Sequence, residues 1–458
     1  MNKLKFILMT VSAILSVSAV KAQTPSTLQQ CIDSALKYNL SIRSARFDVD
    51  KANEQKKEAF ASFLPQVNAN GQYEYYTKVP TQLIPSAIFA APSASGAKVP
   101  KYVAGSFTLP QSTQGSVSLT HTLYNGQVLI AFKAAKANIS IYELQLKSSK
   151  EDLAYNVGAA YYNIQALTKK IALLTDNIDN LDKIIKSTKL NLDNGIATKT
   201  DYNRLLVNRE STEATIVSTQ GQLDEQLVQL KFLMGKPLSA QLAIQLDSGS
   251  NSLNVILSPD TGNSSKRTDI QLLQAQKNAD EIQRKNIKAG YQPILTLTNS
   301  FGVAGYNDRL QPFQTINNQW FNNSSISLNL SIPIFDGGKK RSQVRQKNIE
   351  LEQYDAKIQY NKQQADKEEL TAFINYNTNV VNLRYQYANV DLANKIYIDR
   401  QLQYQNGIVS LKDVLDSKND LLDAENTFIT SLVNARTSEL DLKKAKGELL
   451  TLSSTTDK

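Results

Sequence analysis

The chain has 458 residues, 41% of them hydrophobic, with one His, one Cys and a formal net charge of +9. One His and one Cys leave no metal cluster, no internal disulfide and no Cys/His or Ser/His/Asp constellation, so the composition argues against an enzyme and a resident cofactor. The basic residues are scattered among acidic ones, which is typical of solvated helix faces rather than of a nucleic-acid-binding surface.

The N-terminus has the features of a secretory signal peptide, residues 1–22. Lys3 and Lys5 precede an apolar stretch at 6–20, and small residues predict cleavage between Ala22 and Gln23. The apolar stretch is shorter than the roughly 20 residues that a membrane-spanning helix needs. No later stretch is apolar enough to span a bilayer as a helix, so entry into a membrane would be as strands.

The first half of the mature chain predicts two strands and several helices. Helical periodicity at 27–63 ends at a proline, and apolar residues then alternate with polar ones in a strand that starts at Gln66. A proline-rich loop at 77–114 leads to a second alternating stretch at 117–123. Residues 127–193 contain one Gly and no Pro, which predicts a single helix about 100 Å long at 1.5 Å per residue.

The second half repeats this order, which indicates a tandem duplication. Asn194-Gly195-Ile196 followed by Asp201 matches Asn406-Gly407-Ile408 followed by Asp413 at an offset of 212. The predicted organisation is therefore as follows: signal peptide 1–22, first repeat 23–235, inter-repeat equatorial segment 236–266, second repeat 267–450 and disordered tail 451–458.

The predicted long helices carry apolar residues at alternating spacings of four and three. Such a sustained heptad repeat predicts left-handed coiled-coil packing. The clearest run in the first repeat comprises Leu153, Val157, Ala160, Ile164, Leu167, Ile171, Leu174, Ile178, Leu181 and Ile185.

The four predicted strands, each about 10 residues long, have one apolar and one polar face, as strands that line a membrane barrel do. An ordinary soluble sheet with one buried face would show the same alternation. On the barrel interpretation, the lumen is lined by Gln66, Asn68, Asn70, Ser327, Asn329 and Ser331, and lipid contacts Leu295, Leu297, Leu328 and Leu330.

Each repeat has a Gly-bearing junction from strand to helix, Tyr124-Asn125-Gly126 in the first and Phe335-Asp336-Gly337-Gly338 in the second. With these junctions and the Asn-Gly turns, the duplicated order of elements resembles the TolC-type outer-membrane efflux proteins across the whole mature chain. The resemblance implies a mixed α/β membrane protein: a trimeric 12-stranded β-barrel in the outer membrane of a Gram-negative bacterium, continuous with a long periplasmic coiled-coil barrel. It also implies a passive exit duct with two partners, a periplasmic adaptor (membrane fusion) protein and an inner-membrane efflux transporter.

Family resemblance also suggests where functional residues lie. The helix turns at Asn194–Thr200 and Asn406–Leu411 are expected to face the adaptor, and a carboxylate gate is expected near them. The expected adaptor contacts are Asn194, Gly195, Ile196, Thr198, Asn406, Gly407, Val409 and Ser410. The candidate gate residues are Asp399, with Arg400 as a possible latch partner, and Asp391.

Three other functions remain open from the sequence: an outer-membrane channel for type I secretion of proteins or peptides, a stand-alone porin, and a structural periplasmic coiled-coil protein. The sequence also raises a local electrostatic question, because Lys339, Lys340 and Arg341 open a helix. Cations there oppose the helix dipole, so compensation is expected. The side chains are expected to reach anionic headgroups at the periplasmic leaflet; the alternative is a plain solvated helix face.

Overall fold

The computed structural model describes residues 25–88, 100–246, 253–256, 258 and 264–453. The predicted signal peptide, with its Ala22–Gln23 cleavage site, lies outside the described residues, as does most of the segment that follows residue 246 up to residue 263.

Seven α-helices lie in the described part of the chain. Their bounds are α1 Leu28–Tyr38, α2 Leu40–Ala61, α3 Gly126–Asp193, α4 Lys199–Leu233, α5 Thr268–Ala289, α6 Lys339–Gln405 and α7 Leu411–Lys446. Two of them, α3 with 68 residues and α6 with 67, occupy the positions where the sequence predicts long uninterrupted helices.

The strands form two separate sheets. A four-stranded antiparallel sheet has the order β1-β4-β5-β6, from β1 Gln66–Tyr75, β4 Gln111–Asn125, β5 Ile294–Asn307 and β6 Trp320–Ser331. A short hairpin pairs β2 Gln82–Pro85 with β3 Tyr102–Gly105. The central pairing of β4 with β5 joins the two sequence repeats.

The chain divides into two compact units. The first comprises Met1–Val49, Ile141–Gln274 and Asp355–Lys458, and the second comprises Asp50–Ser140 and Ala275–Tyr354. Among the described residues, the first unit is built from helices, and its main hydrophobic cluster includes Cys31, Ile32, Val157 and Ile164. The second unit contains the four-stranded sheet.

The predicted heptad positions of α3 are confirmed as its packing face. Leu153, Val157, Ala160 and Ile164 are each 6% exposed or less, and none of the ten predicted positions is fully exposed. Cys31 is fully buried in the first unit. Burial raises the pKa of its thiol to about 11.

The structure differs from the sequence prediction at the first helix. Residues 27–63 form two helices because Asn39 has an extended backbone at the end of α1. Its side-chain oxygen accepts a hydrogen bond from the Ser41 N–H at 2.8 Å, and its amide donates to the Leu233 carbonyl at 2.9 Å. An Asn in a helix interior often bonds locally in this way and interrupts the helix.

Two further segments are more ordered than the sequence predicts. The loop expected at 77–114 contains the β2–β3 hairpin and the first residues of β4. The tail expected to be disordered from 451 begins with order instead, because Leu449–Leu452 form a 3-10 helix. The Ser453 hydroxyl donates to the Asp33 carboxylate at 2.6 Å, which fixes the chain there.

None of the helices in the described residues combines the length and apolarity needed to cross a membrane.

Candidate functional site

The register of the main sheet separates its two faces by chemistry. Residues that pair across an antiparallel sheet share a face. One such row is Gln66, Thr120, Thr298 and Ser327, and the rows of this face further include Asn68, Ser118, Ser300, Ser325, Thr122, Thr296 and Asn329. The opposite face is mainly apolar but also carries His121, Asn299 and Ser324; its apolar residues are Val67, Leu119, Ile326, Val117, Phe301, Leu297, Leu328, Leu295 and Leu330. The residues predicted to share a face do so.

A β-bulge interrupts β4 and removes Leu123 from the apolar face, where the period of two from Val117 would place it. The register between β4 and β5 changes between Thr122 and Tyr124, so Leu123 is the extra residue. Tyr124 then pairs with Leu295 and takes the apolar face in place of Leu123. The Tyr124 hydroxyl donates to the Gln292 side-chain oxygen at 3.0 Å. The bulge thus places an aromatic ring with a polar tip at the end of the apolar face.

Among the described residues, both outer strands of the sheet have one side without a partner strand. β1 pairs only with β4, and β6 pairs only with β5. Each therefore leaves a row of backbone N–H and C=O groups available to another chain.

The start of α6 contains the charge compensation that the sequence calls for. The Asp336 carboxylate accepts hydrogen bonds from the Gly338 and Lys340 N–H groups, each at 3.1 Å. Its oxygen also lies 3.3 Å from the Lys340 ammonium. These hydrogen bonds lower the pKa of Asp336, and the bond from the Lys340 N–H has the largest effect. The Gly338 carbonyl accepts from the Ser342 N–H, so Gly338 is the N-cap, and Asp336 stabilises the basic first turn from two residues before it.

The turn between α3 and α4 closes around a left-handed glycine. Gly195 has φ +73°, a conformation that favours Gly. Its N–H donates to the Leu192 carbonyl at 2.9 Å, and the Ile196 N–H donates to the Asn191 carbonyl at 2.7 Å. This pair of bonds is a Schellman-type helix end.

The turn between α6 and α7 repeats this geometry 212 residues later. Gly407 has φ +71° and donates to the Tyr404 carbonyl at 3.0 Å. The Ile408 N–H donates to the Gln403 carbonyl at 2.9 Å. The duplication detected in the sequence therefore extends to individual backbone hydrogen bonds.

The asparagines before these glycines also help to close the turns. Asn194 donates its side-chain amide to the Leu190 carbonyl at 2.9 Å, and Asn406 donates to the Leu402 carbonyl at 3.0 Å. Each side-chain amide thus donates one hydrogen bond that closes its own turn.

A hydroxyl caps the helix that follows each turn. Thr198 accepts from the Asp201 N–H at 3.1 Å, and Ser410 accepts from the Asp413 N–H at 3.3 Å. The Asp413 carboxylate accepts in return from the Ser410 hydroxyl and N–H, which completes a capping box. These bonds lower the pKa of Asp413.

Exposure identifies which turn residues are available to a partner. Ile196 is 77% exposed and Ile408 is 71% exposed, so each turn presents one large apolar side chain. Val409, expected from the sequence to be a contact, is only half-exposed. Leu411, at the end of the predicted contact range, is buried in a cluster with Leu205. Ile408 lies within the predicted contact range, and its exposure matches that of Ile196 in the other turn.

The candidate gate residues lie on the same exposed stretch of α6 but do not form the expected latch. The Arg400 guanidinium donates to the Gln403 side chain at 3.0 Å rather than to Asp399. Asp391 accepts from the Lys395 ammonium at 2.6 Å. Within the described part of the chain, the exposed Asp399 carboxylate has no ion-pair partner, which leaves it the more available charge.

Comparison with known proteins gives a match to the family model described as "Outer membrane efflux protein", at residues 31–236 and 264–448. The chain belongs to the outer membrane efflux protein family. The two matched stretches correspond to the two repeats. As a member of the efflux family, the protein lies in the outer membrane, extends into the periplasm and serves as an efflux duct. The family is one of channels, which fits the expectation that this chain is not an enzyme.

Individual relatives of this outer membrane efflux protein are distant but match over most of their length. Outer membrane protein TolC of Escherichia coli K12 is 21% identical, covering 92% of this chain and 82% of TolC. Probable efflux pump outer membrane protein TtgC of Pseudomonas putida KT2440 is 23% identical with the same coverage. Proteases secretion protein PrtF of Dickeya chrysanthemi is 22% identical and covers 77% of this chain and 73% of PrtF.

Among solved structures, a crystal structure of CusC superposes with a TM-score of 0.72 at 19% identity, covering 92% of each chain. This likeness confirms the predicted fold class, in which strands of an outer-membrane barrel and long helices occur in one chain.

Proposed function

We propose that three copies of this outer membrane efflux protein close a 12-stranded barrel and form the passive exit duct of a three-part efflux system. The two unpaired sheet edges carry this proposal. In lipid, an open edge leaves backbone polar groups unsatisfied at a cost of several kcal/mol each. Four strands are too few to close a barrel, since about eight is the usual minimum, and the family resemblance supplies the number three.

The facing of the barrel follows from the segregated sheet. The apolar face with Ile326 and Leu328 contacts lipid, and the polar face with Ser327 and Asn329 lines a water-filled lumen. A polar lumen is the arrangement expected of a channel for water-soluble cargo.

The partners in this proposal are a periplasmic adaptor and an inner-membrane efflux transporter, which supplies the energy. The two helix turns form the adaptor-contact surface, with Ile196 and Ile408 as its apolar side chains. Two exposed isoleucines on closely similar turns support this assignment, because exposed apolar groups at a rigid tip are suited to docking. Nucleic acid is not an expected partner.

Asp399 is the proposed gate residue. Three copies of one carboxylate around a threefold axis would attract cations and resist small anions. Asp391 forms an ion pair with Lys395, whereas Asp399 has no ion-pair partner among the described residues. This difference supports Asp399 as the gate residue.

Mass determination in detergent and affinity purification after crosslinking test the proposal together. A complex of three chains that captures an adaptor and an inner-membrane pump is the expected result. A stable folded monomer would contradict the barrel, whereas a trimer that captures no adaptor would contradict only the three-part assembly.

Type I secretion of proteins is the second candidate function, and the similarity to the protease secretion protein PrtF favours it. The pump recovered by crosslinking separates the two functions: a drug transporter supports small-molecule efflux, and a peptide or protein exporter supports secretion. A purely structural periplasmic role loses its support, because the efflux family lies in the outer membrane.

A further inference from the structure

The loop between β5 and β6, residues 308–319, folds back onto the sheet, and we refer to it as the flap. Gly305 lies on the apolar face of β5, paired with Trp320. A Cβ atom at Gly305 would collide with the Thr315 methyl group, so the flap covers the apolar face at this point. The Phe313 ring contacts the Tyr73 ring on the same face, with centroids 6.3 Å apart. The flap therefore lies on the side of the sheet that faces lipid, not on the polar side.

A buried amide holds the flap in this position. Gln111, the first residue of β4, is 0% exposed and sits on the apolar face. Its amide nitrogen donates to the Gln311 carbonyl at 2.7 Å and to the Gln314 carbonyl at 3.1 Å. Its side-chain oxygen accepts from the Gln311 N–H at 2.7 Å and from the Tyr73 hydroxyl at 3.2 Å. All the hydrogen-bonding groups of this amide are thus engaged, and the flap conformation is specified by a fully satisfied buried group.

The clamped flap presents apolar side chains outward. Leu310 is 58% exposed, Phe313 is 74% exposed and Ile316 is 39% exposed. Phe313 has φ +62°, which is uncommon for a bulky residue and costs energy unless its surroundings fix it. Trp320, half-exposed beside the flap, is the only Trp of the chain. Exposed apolar groups next to Trp and Tyr are typical of a membrane–water interface.

We propose that the flap is a membrane anchor, in which Leu310, Phe313 and Ile316 insert into the outer-leaflet lipid at the boundary between headgroups and acyl chains. Two observations indicate that lipid, rather than another molecule, contacts these three side chains. The flap continues the apolar face, which contacts lipid in the proposed barrel. It also lies at the sheet end opposite the junctions that lead into α3 and α6, and this end faces the cell exterior when the helices extend into the periplasm. The inference therefore rests on the proposed facing of the barrel.

Site-directed labelling in lipid vesicles tests the anchor. Single cysteines replace Phe313 in the flap, Leu328 on the apolar face and Asn329 on the polar face, and each is labelled with a fluorophore sensitive to polarity. The native Cys31 thiol is fully buried, so the folded protein needs no further substitution. The full-length protein is reconstituted in phosphatidylcholine vesicles with and without brominated acyl chains, which quench only labels in the bilayer.

The expected result is several-fold stronger bromine quenching at Phe313→Cys and Leu328→Cys than at Asn329→Cys, with blue-shifted emission at the first two positions. Adding Gln111→Ala should release the flap, so that quenching at position 313 falls towards that at 329 while quenching at 328 is unchanged. Quenching at 328 but not at 313 overturns the anchor and leaves the barrel facing intact. Equal quenching at 328 and 329 refutes the facing itself, and with it the anchor.

Contact with a second trimer is the other outcome that overturns the lipid assignment. In that case emission at position 313 would shift with protein density in the vesicle, and light scattering in detergent would detect paired trimers that Phe313→Ser separates. The lipid anchor instead gives emission that is independent of protein density.

Discussion

Substituting arginine at neighbouring positions of β6 tests whether the two faces of the sheet meet lipid and water. Ile326 is central in this strand, six residues after Trp320 and five before Ser331, and its side chain is 77% exposed on the apolar face. Ile326→Arg should therefore place a cation near the bilayer midplane, at a cost of about 2–4 kcal/mol. Ser327→Arg places the same charge on the polar face and should change stability by less than about 0.5 kcal/mol.

A third variant tests how the free-energy cost of an arginine on the apolar face depends on its depth in the bilayer. Leu330 lies on the apolar face four residues beyond Ile326, about 13 Å along the strand at roughly 3.3 Å per residue. With a strand tilt of about 40°, this is about 10 Å of depth, close to the edge of an apolar band about 25 Å tall. Leu330→Arg should then cost only about 0–1 kcal/mol, the range for the interface.

Urea titration of the protein in phospholipid vesicles measures these costs, with all variants at one protein concentration because stability in an oligomer depends on it. A cost of 2–4 kcal/mol lowers the folding equilibrium constant about 30- to 700-fold, at roughly 1.4 kcal/mol per factor of ten. The slope of the transition should be unchanged, so that the midpoints compare directly. Equal costs at 326 and 327, or a greater cost at 327, would refute the assignment of the faces.

Three further predictions concern the helical unit. Ile196→Arg and Ile408→Arg should impair pump-dependent efflux while leaving trimer level and membrane location normal in detergent extracts; a fall in trimer level would instead make these residues structural. Asp399→Asn should reduce cation selectivity in single-channel recordings, whereas the matched variant Asp391→Asn should not, and unchanged selectivity would remove Asp399 from the gate. Burial raises the pKa of Glu151, so folding favours its protonated form, and stability should fall as pH rises from the unfolded pKa of about 4.3 through the folded pKa. Glu151→Gln should remove this component of the pH dependence in thermal melts, and an unaltered profile would contradict the assignment.

The faces of the sheet could be predicted from the sequence because a strand alternates its side chains with a fixed period of two. The bulge at Leu123 could not be predicted, because nothing in the residues of β4 marks it. It is visible only in how β4 pairs with β5. Tyr124 therefore gains its place on the apolar face from pairing with β5, which lies about 170 residues away in the chain.

The turns were predictable to the residue because Asn-Gly at a helix end has a specific conformational role, and its duplication reinforces the signal. What the sequence could not show is which side chains the turn leaves exposed. Leu411 is buried because it packs with Leu205 from the other repeat, a contact that depends on how the helices associate. The break at Asn39 likewise depends on a bond to the distant Leu233 carbonyl.

The position of the flap also could not be predicted from the residues near it in the sequence. The Gln111 amide binds backbone groups of Gln311 and Gln314, about 200 positions later in the chain. Nothing in the neighbourhood of Gln111 distinguishes it from other polar residues. By contrast, the Asp336 contact is local, because Asp-Gly-Gly directly precedes the basic first turn, although the compensation predicted there was by lipid headgroups.

The pairing of β4 with β5 has a consequence for how the protein folds. The hairpins β1–β4 and β5–β6 each close within one repeat, but their union brings together Gln111 and Asn307, which are separated by more than two-fifths of the chain. Contacts between residues so far apart form slowly, because the entropy of closing the intervening chain is lost before the contact is made. A newly exported chain should thus pass through a state with two independent hairpins and four open edges. How long this state lasts sets the time during which a periplasmic chaperone must prevent the edges from pairing with the wrong chain.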